Sequence, residues 1–105
     1  MGKPHTSAGT VSTENVLTIP AIAGGKVELE SVGFSFDVAP SAAVLLTVES
    51  PSGTILHRWF VSAAGAGPIN YGGSCVDGAK DQAMVIRLAA ATGSIGHLNA
   101  VTRNH

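Results

Sequence analysis

Charge is scarce in this sequence. Only 12% of its 105 residues are Asp, Glu, Lys or Arg, against 45% hydrophobic. A small free-standing domain typically carries about 25–35% charged residues on its surface. We therefore expect an exposed surface built from Ser, Thr, Gly and Ala, with part of it covered by another molecule. The cations Lys3, Lys26, Arg58, Lys80, Arg87 and Arg103 are scattered singly, and the formal net charge is -1. Displacing phosphate counterions takes clustered cations, so no direct nucleic-acid partner is expected. Cys75 is the one cysteine, which excludes an intramolecular disulfide. No apolar run approaches the roughly 20 residues of a membrane helix. Met1 to Val16 is polar and lacks the apolar centre of a secretion signal. The expectation is a soluble chain made in a cytoplasm, with no membrane partner.

Helical periodicity is lacking as well. No long window repeats apolar residues at i, i+3, i+4 and i+7, whereas period-two alternation recurs. Strands are predicted at Val16–Ile19, Lys26–Val38, Ala43–Ser50, Thr54–Val61, Ala83–Ala90 and Ser94–Thr102, with a short edge strand through Ile69 and Tyr71. In the long second strand Val27 and Leu29 are out of phase with Val32, Phe34, Phe36 and Val38. A β-bulge near Glu30 and Ser31 would bring both sets onto one core face. Pro51-Ser52-Gly53 is a short turn, since Pro presets φ and Gly accepts a positive one. It makes the flanking runs a hairpin. In the last strand either Ile95 and Val101 or Leu98 and Ala100 point inward. The fold class is all-β: a single antiparallel β-sandwich or jelly-roll-like domain of about seven to eight short strands over residues 16–105. Residues 1–15, rich in Ser, Thr and Gly, read as a flexible arm that stays mobile or lies on a neighbouring subunit.

The residues that carry chemistry do not cluster. His5 and His105 are terminal, and His57 and His97 fall in separate strands, without the spacing of a zinc site. Gly72-Gly73-Ser74-Cys75 lacks the G-x-S-x-G elbow, and Asp77 disfavours a thiolate at Cys75. Glu28 and Glu30 read as the polar side of an amphipathic strand. Gly65-Ala66-Gly67 has no third glycine and Pro68 blocks the helix a dinucleotide site needs. No catalytic, cofactor-binding or metal-binding residues are assigned, and no cofactor is expected. An enzyme would need His57, His97 and Asp77 brought together in the interior.

Thr54–Val61 is the most informative segment. Ile55, His57, Trp59 and Val61 alternate with Thr54, Leu56, Arg58 and Phe60, so neither face is polar. Such a strand needs cover on both sides: the core on one, and a second layer or another subunit on the other. Trp and Arg are frequent interface anchors. The expected interface residues are His57, Arg58, Trp59, Phe60 and Tyr71.

Phe34-Ser35-Phe36-Asp37, an Ala/Pro/Ser loop, the Leu45–Thr54 strand and turn, and Met84–Leu88 leading through Thr92-Gly93 to a closing strand form a pattern spanning about residues 16 to 102. This pattern resembles the small β-sandwich virion proteins of tailed bacteriophages, of the head decoration or cement type. The resemblance implies a non-enzymatic structural protein located in the virion. It implies self-association as a dimer or trimer and binding to the major capsid protein or another virion protein. The competing reading is a carbohydrate- or receptor-binding β-sandwich module of a phage tail or fibre, which would need Trp59 and Tyr71 exposed together.

Overall fold

The computed structural model describes residues 3–61, 69–70 and 76–104. Among the described residues there are nine strands and no helix. They are β1 (Lys3–Ser7), β2 (Asn15–Ile19), β3 (Val27–Phe36), β4 (Val44–Glu49), β5 (Ile55–Val61), β6 (Ile69–Asn70), β7 (Val76–Asp77), β8 (Met84–Leu88) and β9 (Gly96–Asn104). One sheet runs β1-β9-β3, with β6 and β7 following one another along the far edge of β3. The second runs β2-β8-β4-β5. Every pairing is antiparallel. Apart from the β4–β5 hairpin and the step from β6 to β7, each connection passes from one sheet to the other. The two sheets enclose one core, an arrangement consistent with a β-sandwich.

The core follows the alternation in the sequence. Leu17 and Ile19 of β2, Leu46 and Val48 of β4, and Met84, Ile86 and Leu88 of β8 meet Leu98 and Ala100 of β9, all buried. The open phase of the last strand is thereby resolved in favour of Leu98 and Ala100. The expected bulge in β3 is present: Leu29 pairs with Thr102 and Ser31 with Val101, so Glu30 has no opposite number. Because of that extra residue, Val27, Leu29, Val32, Phe34 and Phe36 all face the core, whereas Val38, expected with them, lies past the end of β3 and is exposed. The Pro51 turn joins β4 and β5, and Gly53 takes the positive φ of 98° that a side chain would strain.

The N-terminal segment departs from expectation. Rather than a flexible arm over residues 1–15, Lys3–Ser7 pairs with β9 of the same chain, and Val11 bridges to Ile95. Neither side of β1 is apolar, and polar contacts hold it. His5 Nε2 lies 2.8 Å from Thr102 Oγ1, and Ser7 Oγ donates to Asn15 Oδ1 at 2.6 Å. Asn15, itself buried, donates from Nδ2 to the carbonyls of Ser7 and Gly96. One amide thus ties β1, β2 and β9 together and satisfies its own buried polar atoms. Burial, with a smaller contribution from the charge of Lys3, holds the His5 imidazole below the usual histidine range. The chain then crosses Gly96 at Gly9, so closely that a Cβ at Gly9 would lie 1.8 Å from the Gly96 carbonyl oxygen. The other departure is β7, which falls where a loop over residues 73–82 is expected. Its two residues satisfy the edge of β3 at Glu28 and Leu29.

Deleting Glu30 removes the bulge and turns one half of the β3 apolar set to solvent. We expect no cooperative unfolding transition by circular dichroism for that deletion. Glu30→Ala keeps the register and loses only a half-exposed ion pair, so it should cost at most about 1 kcal/mol in denaturant unfolding. Leu46→Ala, at a fully buried position, should cost about 2–5 kcal/mol.

Candidate interaction face

The outer faces of the two sheets differ in chemistry. On the first, Glu28 stands opposite Arg103, whose Nε lies 3.6 Å from Glu28 and 3.4 Å from Glu30, and Lys26 meets Asp77 at 2.9 Å. This is a solvated, charged surface, as expected for the polar side of β3. On the second sheet, register places three rows of side chains across the outer face, since directly opposed residues share a face. Phe60 faces Leu45. Arg58 faces Thr47, which faces Arg87 and then Val16. Ile55 faces Glu49, which faces Val85 and then Thr18. Phe60 is 76% exposed and Ile55 42%. Phe60 and Ile55 flank Arg58 along the β5 margin, Val16 lies on the β2 margin, and Glu49 and Arg87 sit between them.

The centre is a compact ionic cluster. The Glu49 carboxylate is buried, yet it accepts hydrogen bonds from Thr47 Oγ1 and Arg87 Nε at 2.9 Å each and from the Gly53 backbone N–H at 2.8 Å. Arg87 also reaches Ser52 Oγ at 3.0 Å and Glu14 at 3.6 Å. Burial on its own would raise the Glu49 pKa. The Gly53 and Thr47 hydrogen bonds and the charge of Arg87 outweigh it and hold the carboxyl below its ordinary value. The cluster ties the tip of the β4–β5 hairpin to β8 and to the segment before β2.

The residues expected at an interface divide between the two faces of β5. Arg58 and Phe60 lie on the outer face, opposite Thr47 and Leu45. His57 and Trp59 lie opposite the core residues Val48 and Leu46. Trp59 is half-buried against the core, and its ring meets the His57 ring edge-on with centroids 5.4 Å apart. Tyr71 lies outside the described residues. Among the described strands β5 is the last of its sheet, shifted in register at Leu56, where one extra residue separates the pairs Val48–His57 and Glu49–Ile55. Reading the sequence missed the Thr47, Glu49 and Arg87 cluster. Its signal is one carboxylate and one guanidinium, each on the polar phase of a strand, and only strand pairing shows that they meet.

His57, His97 and Asp77 do not come together. His97 Nδ1 accepts a hydrogen bond from the Gly9 N–H at 3.2 Å in the first sheet, Asp77 pairs with Lys26, and His57 lies in the second sheet. Among the described residues, no group of three or more His, Cys, Asp or Glu side chains is placed to hold a metal ion. A surface cleft of about 140 Å³ lined by Pro40, Ser41, Ala42, Val44, Ala90, Ala91 and Thr92 contains no ionisable side chain. No protein-family model matches the chain, and no curated protein or solved structure matches it.

The depressed carboxyl of Glu49 stabilises the fold at pH values above the ordinary value of 4.5, and that contribution is lost as the pH falls through the lower folded-state value. Glu49→Gln should therefore lower stability at pH 7 by about 1–3 kcal/mol. The gap between variant and wild type should narrow steadily below pH 4.5 when denaturant unfolding is followed across pH. A gap that stays constant into acid would show that the charge of Glu49 contributes nothing.

Proposed function

We propose that this chain is a non-enzymatic structural protein of a bacteriophage virion, a capsid decoration or cement protein that self-associates and binds the particle surface. The observation that carries this reading is the outer face of the β2-β8-β4-β5 sheet. On a chain with 12% charged residues, it presents Phe60 and Ile55 to solvent along an edge strand. A soluble domain tolerates scattered apolar residues, but exposed Phe60 and Ile55 together on the last described strand of a sheet are the chemistry of an association surface. Strand order adds support. The order β1-β9-β3-β6/β7 facing β2-β8-β4-β5, with nearly every connection crossing between sheets, supports reading the sandwich as a jelly roll, an architecture used by capsid and lectin domains alike.

Between those two uses, the position of Trp59 favours the structural one. A sugar platform needs an indole face offered to solvent, whereas this ring packs on the core and against His57. Repetition on a symmetric shell makes weak single contacts sufficient, because many sites bind together. A polar first strand and a low charge suit a protein that works while packed among neighbours.

The purified chain should sediment as a multiple of 10.6 kDa at tens of micromolar concentration, in analytical ultracentrifugation. It should also co-sediment with capsids of the phage that encodes it and raise their resistance to heat. A monomer of 10.6 kDa that leaves those capsids bare would overturn the proposal.

A further inference from the structure

β1 departs from its neighbours in what it turns inward. Lys3, His5 and Ser7 share a face, and register sets them opposite Thr102, Ala100 and Leu98 of β9, all buried. A lysine and a histidine thus point between the sheets where β2, on the other side, puts Leu17 and Ile19. An inward-pointing charge is one device that guards a sheet edge. These two side chains, however, also line a cleft of about 280 Å³ whose remaining walls are Ile19, Pro20, Ala21 and Ile22. Ile19 is buried and Ile22 packs on the core, so the wall facing the two bases is apolar and anchored. Lys3 forms no ion pair among the described residues. His5 Nε2 is taken by Thr102 Oγ1 at 2.8 Å, and Nδ1 has no partner among the described residues. Neither Ala100 and Thr102 of β9 nor the four residues of the opposite wall supply a carboxylate. Burial, and after it the charge of Lys3, keep the imidazole below the ordinary histidine value. Two bases therefore sit side by side in a partly enclosed space with no anion to answer them.

We infer that this cleft binds a small carboxylate carried on an aliphatic body, with Lys3 and His5 holding the carboxylate and Ile19, Pro20 and Ile22 the hydrocarbon. The chemistry of the walls selects that class. An ammonium and an imidazolium both donate to one anion, and charge-assisted hydrogen bonds in a place of lowered dielectric are the strong kind. An inorganic anion such as phosphate leaves the apolar wall wet, and a neutral hydrocarbon leaves Lys3 unanswered. Pockets for drug-sized ligands span about 300–1,000 Å³, so this ligand is smaller than those. Occupancy also reverses the electrostatics at His5. In the empty cleft burial and Lys3 favour the neutral ring, whereas an adjacent carboxylate favours the protonated one. Protonation makes Nδ1 a second donor beside the Nε2 held at Thr102. Lys3 is the charged group beside His5, and neither β9 nor the Ile19–Ile22 wall sets another charge against it among the described residues. The site involves no part of β5 and stands apart from self-association.

Hexanoate is the probe, added to the full chain while the histidine ring signals are followed by NMR, with His5→Gln assigning those of His5. Hexanoate should bind in the millimolar range and shift the His5 signals. Hexanamide, its uncharged analogue, and inorganic phosphate should each bind at least about tenfold more weakly. Affinity for hexanoate should rise about threefold or more between about pH 7.5 and about pH 6, because binding draws a proton onto His5. Lys3→Met should weaken binding about tenfold. His5→Gln, which keeps a donor for Thr102 Oγ1, should abolish the pH dependence and retain weaker binding. Circular dichroism melts confirm that each variant is folded, and the comparison of hexanoate with hexanamide needs no variant. Hexanoate that leaves the His5 signals unmoved, or binds no better than hexanamide, overturns the site and leaves Lys3 as a guard of the sheet edge. Phosphate that binds as well as hexanoate overturns the assignment of an aliphatic ligand.

Discussion

Between Leu29 and Ser31, β3 carries one residue more than the strand opposite it, and the first sheet is arranged around that insertion. Without it, Val27 and Leu29 would face the core while Val32, Phe34 and Phe36 faced water, or the reverse. With it, a ten-residue strand serves one core face along its full length. The bulge also explains the broken edge beyond. β6 pairs with Ser31 and Val32, β7 with Glu28 and Leu29, and Glu30 falls between them on both sides of the strand. A bulge bends and twists its strand locally, so a partner continuous across it would have to bend identically. Two short pieces meet the same need. Glu30 itself turns outward to Arg103 and joins the charged surface of that sheet.

The second sheet uses its few charges differently. Glu49 and Arg87 are not spread over the surface for solubility but are joined in one buried cluster that fixes the hairpin tip to its neighbours. A half-satisfied carboxylate at this depth would be strongly destabilising; three donors make it tolerable. With Glu49 and Arg87 paired at the centre, the β5 margin carries one charge, Arg58, between Ile55 and Phe60. The contrast between the sheets is therefore one of placement rather than of amount: salt bridges at the surface of one, an internal ionic clasp in the other.

The features legible in the sequence are those with a local period or a local breaker. The Pro51 turn, the bulge in β3 and the core phases of β4 and β8 all rest on residues within one segment. β1 was illegible because neither of its faces is apolar. It is held by His5, Ser7 and the distant Asn15, and no period-two pattern encodes hydrogen bonds of that kind. β7 was hidden because two residues are too few to alternate. The place of β5 stays open in the sequence for a related reason. Apolar groups on both faces indicate cover on both sides, but not whether β4 has a neighbour beyond it. Edge or centre is a property of pairing, and pairing is decided by strands far away in the chain. Of the residues expected at an interface, Arg58 and Phe60 lie on one face of β5, and Trp59 and His57 on the other.

A long apolar edge is ordinarily a hazard, because it can template one chain after another. Two details of this fold work against that outcome. The bulge at Leu56 limits the straight part of β5 to five residues and twists the strand there, which makes it a poorer template. Arg58 puts a charged side chain on that stretch, which discourages the addition of further strands. The opposite margin of the same sheet, β2, is tied to β1 through Asn15 and followed by Pro20, which cannot extend it. The polar strand at the N-terminus thus contributes hydrogen bonds rather than apolar burial, fixing the start of β2 to the first sheet.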